Sequence, residues 1–111
     1  MQIELIEEAS GDTLAWELID GERCGEFFLS DGAVRYRHQA TGELFVAHNL
    51  VDFRTAVAAW QRYGAAVRAA PDEEAELRVV AQLRDDLATS GVLAEGGFWS
   101  VIVEQAEHGL L

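Results

Sequence analysis

Lysine is missing from this sequence: all eight cationic side chains are arginine, set against 20 carboxylates for a net charge of −12. That balance argues against a surface built for nucleic acid or anionic lipid, because binding phosphate depends on cationic side chains that release counterions. A basic partner is favoured instead, with long-range attraction raising its association rate at low salt. Solubility alone is the plainer explanation of the same charge. Cysteine is almost absent as well. Cys24 has no second thiol to pair with, which excludes an internal disulfide and makes a reducing cytoplasm the expected compartment. No apolar run approaches the length of a membrane span, and the first residues, Gln2, Ile3 and Glu4, are neither a basic segment nor an apolar one, so no anchor or signal peptide is expected. Repeats and low-complexity tracts are lacking too. With half of its residues apolar and a single proline, the chain reads as one globular domain over residues 1–111.

What is present falls into two halves. Residues 1–48 are punctuated by Ser10-Gly11-Asp12, Asp20-Gly21, Ser30-Asp31-Gly32 and Thr41-Gly42, where glycine beside Asp, Ser or Thr supplies the positive φ of tight hairpins. Between these turns, Leu14, Trp16 and Leu18 alternate with Ala15 and Glu17, and Val34 and Tyr36 alternate with Arg35 and Arg37. Phe27 to Leu29 and Leu44 to Val46 are short apolar runs. The pattern predicts an antiparallel meander of four to five strands, the segment around Ile3 and Leu5 being either a strand or a short helix.

Near Asn49 the period changes. Leu50, Phe53, Val57, Trp60, Gly64 and Val67 step by three and four, with Asn49 or Asp52 available as a cap. Pro71-Asp72-Glu73-Glu74 reads as a second helix start that runs through Leu77, Val80, Leu83 and Leu87 and terminates at Gly91. A third helix follows Gly96-Gly97. Its apolar arc takes in Phe98, Trp99, Val101, Ile102, Val103 and Ala106, too wide for a half-exposed helix, so it is expected between the sheet and the other helices. Strands first and three helices afterwards predict an α+β fold with the helices on one face of the sheet.

Chemistry is harder to find. His38 and His48 fall at opposite ends of one predicted hairpin, on the order of 10 Å or more apart, too far to share a metal. His108 follows Glu104 by one helical turn and reads as a surface pair. Cys24 has no CxxC partner and is flanked by Glu22 and Glu26, which disfavour a reactive thiolate. No GxSxG elbow surrounds Ser30, Ser90 or Ser100, and Gly96-Gly97 is no phosphate loop. No catalytic residue, metal ligand or cofactor is therefore assigned. A carboxylate pair hidden among the acidic residues is the remaining route to an enzyme. Trp16, Trp60 and Trp99 each lie on an apolar stripe and are expected in the core.

The acidic groups do cluster. Asp72, Glu73, Glu74 and Glu76 sit at the second helix start, and Asp85 and Asp86 follow about three turns later. Helix-start preference accounts for the first four on its own. As a functional feature, the six make a negative patch for a cationic protein.

The order of pieces in the second half has a further implication. A glycine-rich hairpin leads into Phe45-Val46-Ala47-His48-Asn49-Leu50 and a helix carrying Phe53, Val57, Trp60 and Tyr63. Then come Pro71-Asp72-Glu73-Glu74 and the closing Phe98-Trp99-Ser100-Val101-Ile102-Val103-Glu104-Gln105-Ala106-Glu107-His108-Gly109-Leu110-Leu111. Over residues 24–111 this resembles the actinobacterial branch of the SUKH superfamily of immunity proteins, without the helical material those proteins usually carry ahead of the sheet. Asn49-Leu50-Val51-Asp52 stands where an Asn-Ser-Ser-like step is usual in them. The resemblance implies a non-enzymatic protein that neutralises a toxin domain, often a nuclease or nucleic-acid deaminase. The other expectation the sequence supports is a structural module that forms a homodimer, with acidity serving solubility alone.

Overall fold

The computed structural model describes residues 1–6, 11–38 and 42–109. Ser10 of the first predicted turn, Thr41 of the fourth, and Leu110 and Leu111 lie outside the described residues. Five strands, β1 (Gln2–Leu5), β2 (Thr13–Ile19), β3 (Glu22–Ser30), β4 (Ala33–His38) and β5 (Gly42–Ala47), form one antiparallel sheet in the order 1-2-3-4-5. Three helices follow, α1 (Leu50–Ala69), α2 (Glu73–Thr89) and α3 (Phe98–Glu107). The meander and the α+β class are as the sequence predicts, and the opening segment is an edge strand rather than a helix.

Two of the hairpins are set by pairs of residues in the left-handed region. Asp20 (φ 53°) and Gly21 (φ 81°) join β2 to β3, and Asp31 (φ 52°) and Gly32 (φ 84°) join β3 to β4. Positive φ at both central positions is the type I′ turn, whose twist matches that of the flanking strands. The helices begin where side chains cap them. Asn49 accepts from the Asp52 amide at 2.8 Å, and Asp72 accepts from the Ala75 amide at 2.8 Å, each satisfying a donor that the first turn leaves unpaired.

α1 and α3 pack on the sheet, and α2 packs against both of them. The core centres on Phe27, whose ring lies 5.3 Å from Tyr36, 5.4 Å from Phe53 and 5.0 Å from Phe98. Trp99 is fully buried beside Phe98 (5.1 Å) and Trp60 (6.4 Å), so the start of α3 is enclosed as its apolar arc predicts. The Trp60 indole donates to the Met1 carbonyl at 3.2 Å and ties α1 to the start of β1. Burying each such side chain contributes about 1.5–3 kcal/mol.

Three positions depart from the predicted pattern. Leu77 sits on the predicted inner stripe of α2 yet is 58% exposed, and Val101 of α3 is 38% exposed. Trp16 is not in the core. It lies on the outer face of the sheet, where the Arg23 guanidinium stands 5.0 Å from the ring. Bulges at Leu14 of β2 and Cys24 of β3 flank a register in which Ala15 pairs with Phe27 and Glu17 with Gly25. The helix side of β2 therefore carries Ala15 and Glu17, both buried, and the larger Trp16 and Leu18 face away.

Candidate functional site

The six acidic positions on α2 do not form one site. Asp72 is committed to its capping bond. Glu74 pairs with Arg78 at 3.2 Å along the helix, and Asp86 faces Arg62 of α1 at 3.6 Å while accepting from Gln82 at 2.9 Å. Glu73, Glu76 and Asp85 are exposed and form no salt bridge among the described residues. Glu73 and Glu76 border a cleft between α1, α2 and the end of α3, whose lining also includes Leu77 and His108. Arg84 reaches across to Glu107 with two hydrogen bonds, at 2.9 and 2.5 Å, and this guanidinium holds the Glu107 carboxyl below its ordinary range. Between α1 and α2, the small side chains Ala59, Ala66 and Ala75 leave an apolar groove of about 410 Å³, bordered by Arg62 and Asp86.

A second location was invisible in the sequence. Glu17, only 7% exposed, is the one polar residue among the buried side chains of the described residues, and it lies on the helix-facing side of the sheet. The Tyr36 hydroxyl donates to its Oε1 at 2.6 Å. Room for that ring comes from Gly25, because a Cβ there would overlap the Tyr36 side chain. Burial, then the hydrogen bond to Glu17 and its charge, push the Tyr36 phenol above the ordinary tyrosine range. His38 stacks over Tyr36 at 6.4 Å and 12°. Together with Phe98 and Ile102 these residues line an open pocket of about 220 Å³, whose lining also includes the exposed Ile19 and Val101. Strand alternation conceals the site, since a glutamate between Trp16 and Leu18 reads as solvent-facing until the bulge at Cys24 is known. The small residues facing Tyr36, Ala15 and Gly25 flanking its level of the sheet, were the available signal.

The outer sheet face mixes aromatic rings with charge pairs. Arg37 lies 4.3 Å over Phe28 and bonds Glu26 at 2.8 Å, and Arg23 pairs with Glu4 at 2.9 Å. The Thr13 hydroxyl, which donates to Glu26, and then Arg37 hold that carboxyl below its ordinary range against the opposing effect of burial. Cys24 is half-buried at the bulge. His38 pairs with Gly42 in the ladder, whereas His48 lies beyond the far end of β5 with its ring 4.9 Å from Phe45. Among the described residues no group of three or more His, Cys, Asp or Glu is placed to hold a metal ion, and no helix is long and apolar enough to cross a membrane.

Set beside known proteins, the chain matches no protein-family model, no curated protein and no solved structure.

Proposed function

We propose that this chain is a non-enzymatic binding protein of the immunity type, acting in the cytoplasm to capture and block a cationic toxin domain, as its resemblance to SUKH proteins implies. The supporting observation is that three exposed carboxylates of one helix are left without a salt bridge among the described residues. Six of the eight arginines are engaged with carboxylates, whereas Glu73, Glu76 and Asp85 stand exposed on α2, the helix that packs on the other two helices, and form no salt bridge among the described residues. Such a helix attracts a basic surface over a range set by ionic strength, about 8–10 Å near physiological salt. A nuclease or nucleic-acid deaminase fits as the partner because its own substrate is a polyanion, so its active-site face is cationic and a carboxylate-rich surface competes with phosphate.

The experiment is inhibition. A toxin domain encoded beside this chain's gene is assayed with increasing amounts of the chain at low and high salt. Stoichiometric inhibition that weakens with salt supports the reading, and full activity at excess chain overturns it.

A second reading, self-association, is favoured by the outer sheet face, where Trp16 and Phe28 lie among Arg23, Arg37, Glu4 and Glu26. A face that carries both signs and half-buried rings is complementary to a copy of itself across a two-fold axis. Sedimentation at micromolar concentration separates the two readings, since a monomer counts against this one.

A further inference from the structure

We infer that the cavity floored by Glu17 is a recognition site for one arginine side chain of a partner protein. The inference rests on the proposed capture of a cationic partner only for the source of that arginine.

A buried carboxylate is costly to keep, and a leucine over a phenylalanine would fill the same space without desolvating a charge. Glu17 has a single hydrogen-bond donor, the Tyr36 hydroxyl on Oε1, and forms no salt bridge among the described residues. No arginine among the described residues pairs with Glu17. Arg23, Arg35 and Arg37 are paired on the outer face of the sheet, and Arg62, Arg78 and Arg84 are paired on the helices. The remaining lone pairs of Glu17 are therefore open to a donor that enters from outside, because the residue lines a pocket that opens to solvent.

Size and wall chemistry narrow the donor. At about 220 Å³ the cavity falls below the range of about 300–1,000 Å³ typical of small-molecule sites, which favours a single inserted side chain over a whole metabolite. Its walls include the rings of Tyr36, His38 and Phe98, and the Gln105 side chain adds a polar group. A planar, weakly hydrated guanidinium stacks on such rings and forks onto a carboxylate, which a compact and strongly hydrated ammonium does less well. The pocket is also bordered by exposed apolar side chains. Ile19 (49% exposed) and Val101 (38% exposed), two of the large apolar side chains that the fold leaves in water, are part of its lining. A partner seated over them would exclude water from the ion pair beneath, the arrangement in which a buried arginine anchor contributes most.

The test uses the intact chain and capped arginine (N-acetylarginine methylamide) as the probe, followed by amide chemical shifts. Saturable shifts at Ile19 and Val101 with a millimolar Kd are expected, at least about tenfold weaker in Glu17→Gln, which keeps the acceptor for Tyr36, and in Ile19→Lys, a rim change that places a like charge at the mouth. The capped citrulline analogue, neutral and of the same shape, is expected not to bind, and the capped lysine analogue to bind several-fold more weakly than arginine. Absent or non-saturating shifts, equal binding of citrulline or lysine, or unchanged affinity in a folded Glu17→Gln each overturn the inference. Tighter binding of free arginine than of the capped form identifies a metabolite site and overturns it as well. Because no toxin is present, failure here leaves the inhibition experiment to decide the proposed function separately.

Discussion

The hydroxyl of Tyr36 on β4 and the carboxyl of Glu17 on β2 meet at 2.6 Å across the intervening strand β3, and they do so because Gly25 of β3 has no side chain to stand between them. An acidic group is thereby fixed on the apolar side of the sheet, with no cation of the described chain paired to it. Glu17→Gln keeps shape and the Tyr36 bond while removing the buried charge, so its free energy of unfolding is expected to equal or exceed the parent's by up to about 2 kcal/mol in urea. A loss of more than about 1 kcal/mol would mean that the charge itself holds the fold together.

Gly25→Ala tests the steric half of the same relationship. The added methyl falls on the Tyr36 ring, which Phe27 and Phe98 hold at 5.3 and 4.9 Å. Overpacking of this kind is expected to cost about 2–3 kcal/mol, measured by denaturant unfolding, and Tyr36→Ala in the same chain should relieve the clash while leaving a cavity. An unperturbed Gly25→Ala variant would contradict the described register of β3 on β4.

Both tyrosines of the chain are buried and held neutral: Tyr36 by burial and then by Glu17, Tyr63 by burial and then by the charge of Glu76. Their folded-state pKa values lie above those of the unfolded chain, so the stability they contribute is complete below about pH 10. Above that pH the unfolded chain releases the two protons and the folded one does not, and stability falls by about 1.4 kcal/mol per pH unit for each tyrosine. Ultraviolet titration should therefore show both phenols ionising only above the ordinary tyrosine pKa, with Tyr36 the later of the two. A normal titration of either phenol in the folded protein would refute its burial.

Position along α2 and α3 sorts residues that look alike in the sequence. Trp99→Ala is expected to cost about 3–5 kcal/mol, because the indole is fully enclosed between Phe98 and Trp60. Leu77→Ala should cost less than about 0.5 kcal/mol despite its place on the periodic stripe, since most of that side chain is already in water. Comparable losses in thermal or denaturant unfolding would contradict the packing of α3.

These contrasts also mark where sequence patterns were sufficient. Asp20-Gly21 and Asp31-Gly32 announce hairpins because few residues tolerate positive φ, and Asn49 and Asp72 announce helix starts because unpaired amides need an acceptor. Such signals are local, and the structure follows them. The face of β2 is not a local property. Trp16 and Leu18 are larger and more apolar than Ala15 and Glu17, and alternation alone turns the larger pair inward. It takes the bulges at Leu14 and Cys24, together with the size of Phe27 and Tyr36 on neighbouring strands, to turn the small pair inward instead. Glu17 was hidden for that reason. Leu77 was misplaced because a stripe on α2 needs a partner along its whole length, and the cleft beside Glu73 and Glu76 leaves its first turns uncovered.

The measurement that bears most directly on the proposed function is the association rate with a cationic toxin domain, followed by stopped flow for the parent chain and for Glu73→Lys with Glu76→Lys. Both glutamates are exposed and form no salt bridge among the described residues, so their reversal leaves packing intact and changes the field that the partner approaches. The account predicts that the reversal slows association by about tenfold or more at low salt and that added salt narrows the difference. Rates that agree within a factor of about two at low salt would contradict it, because steering by these carboxylates has no other signature.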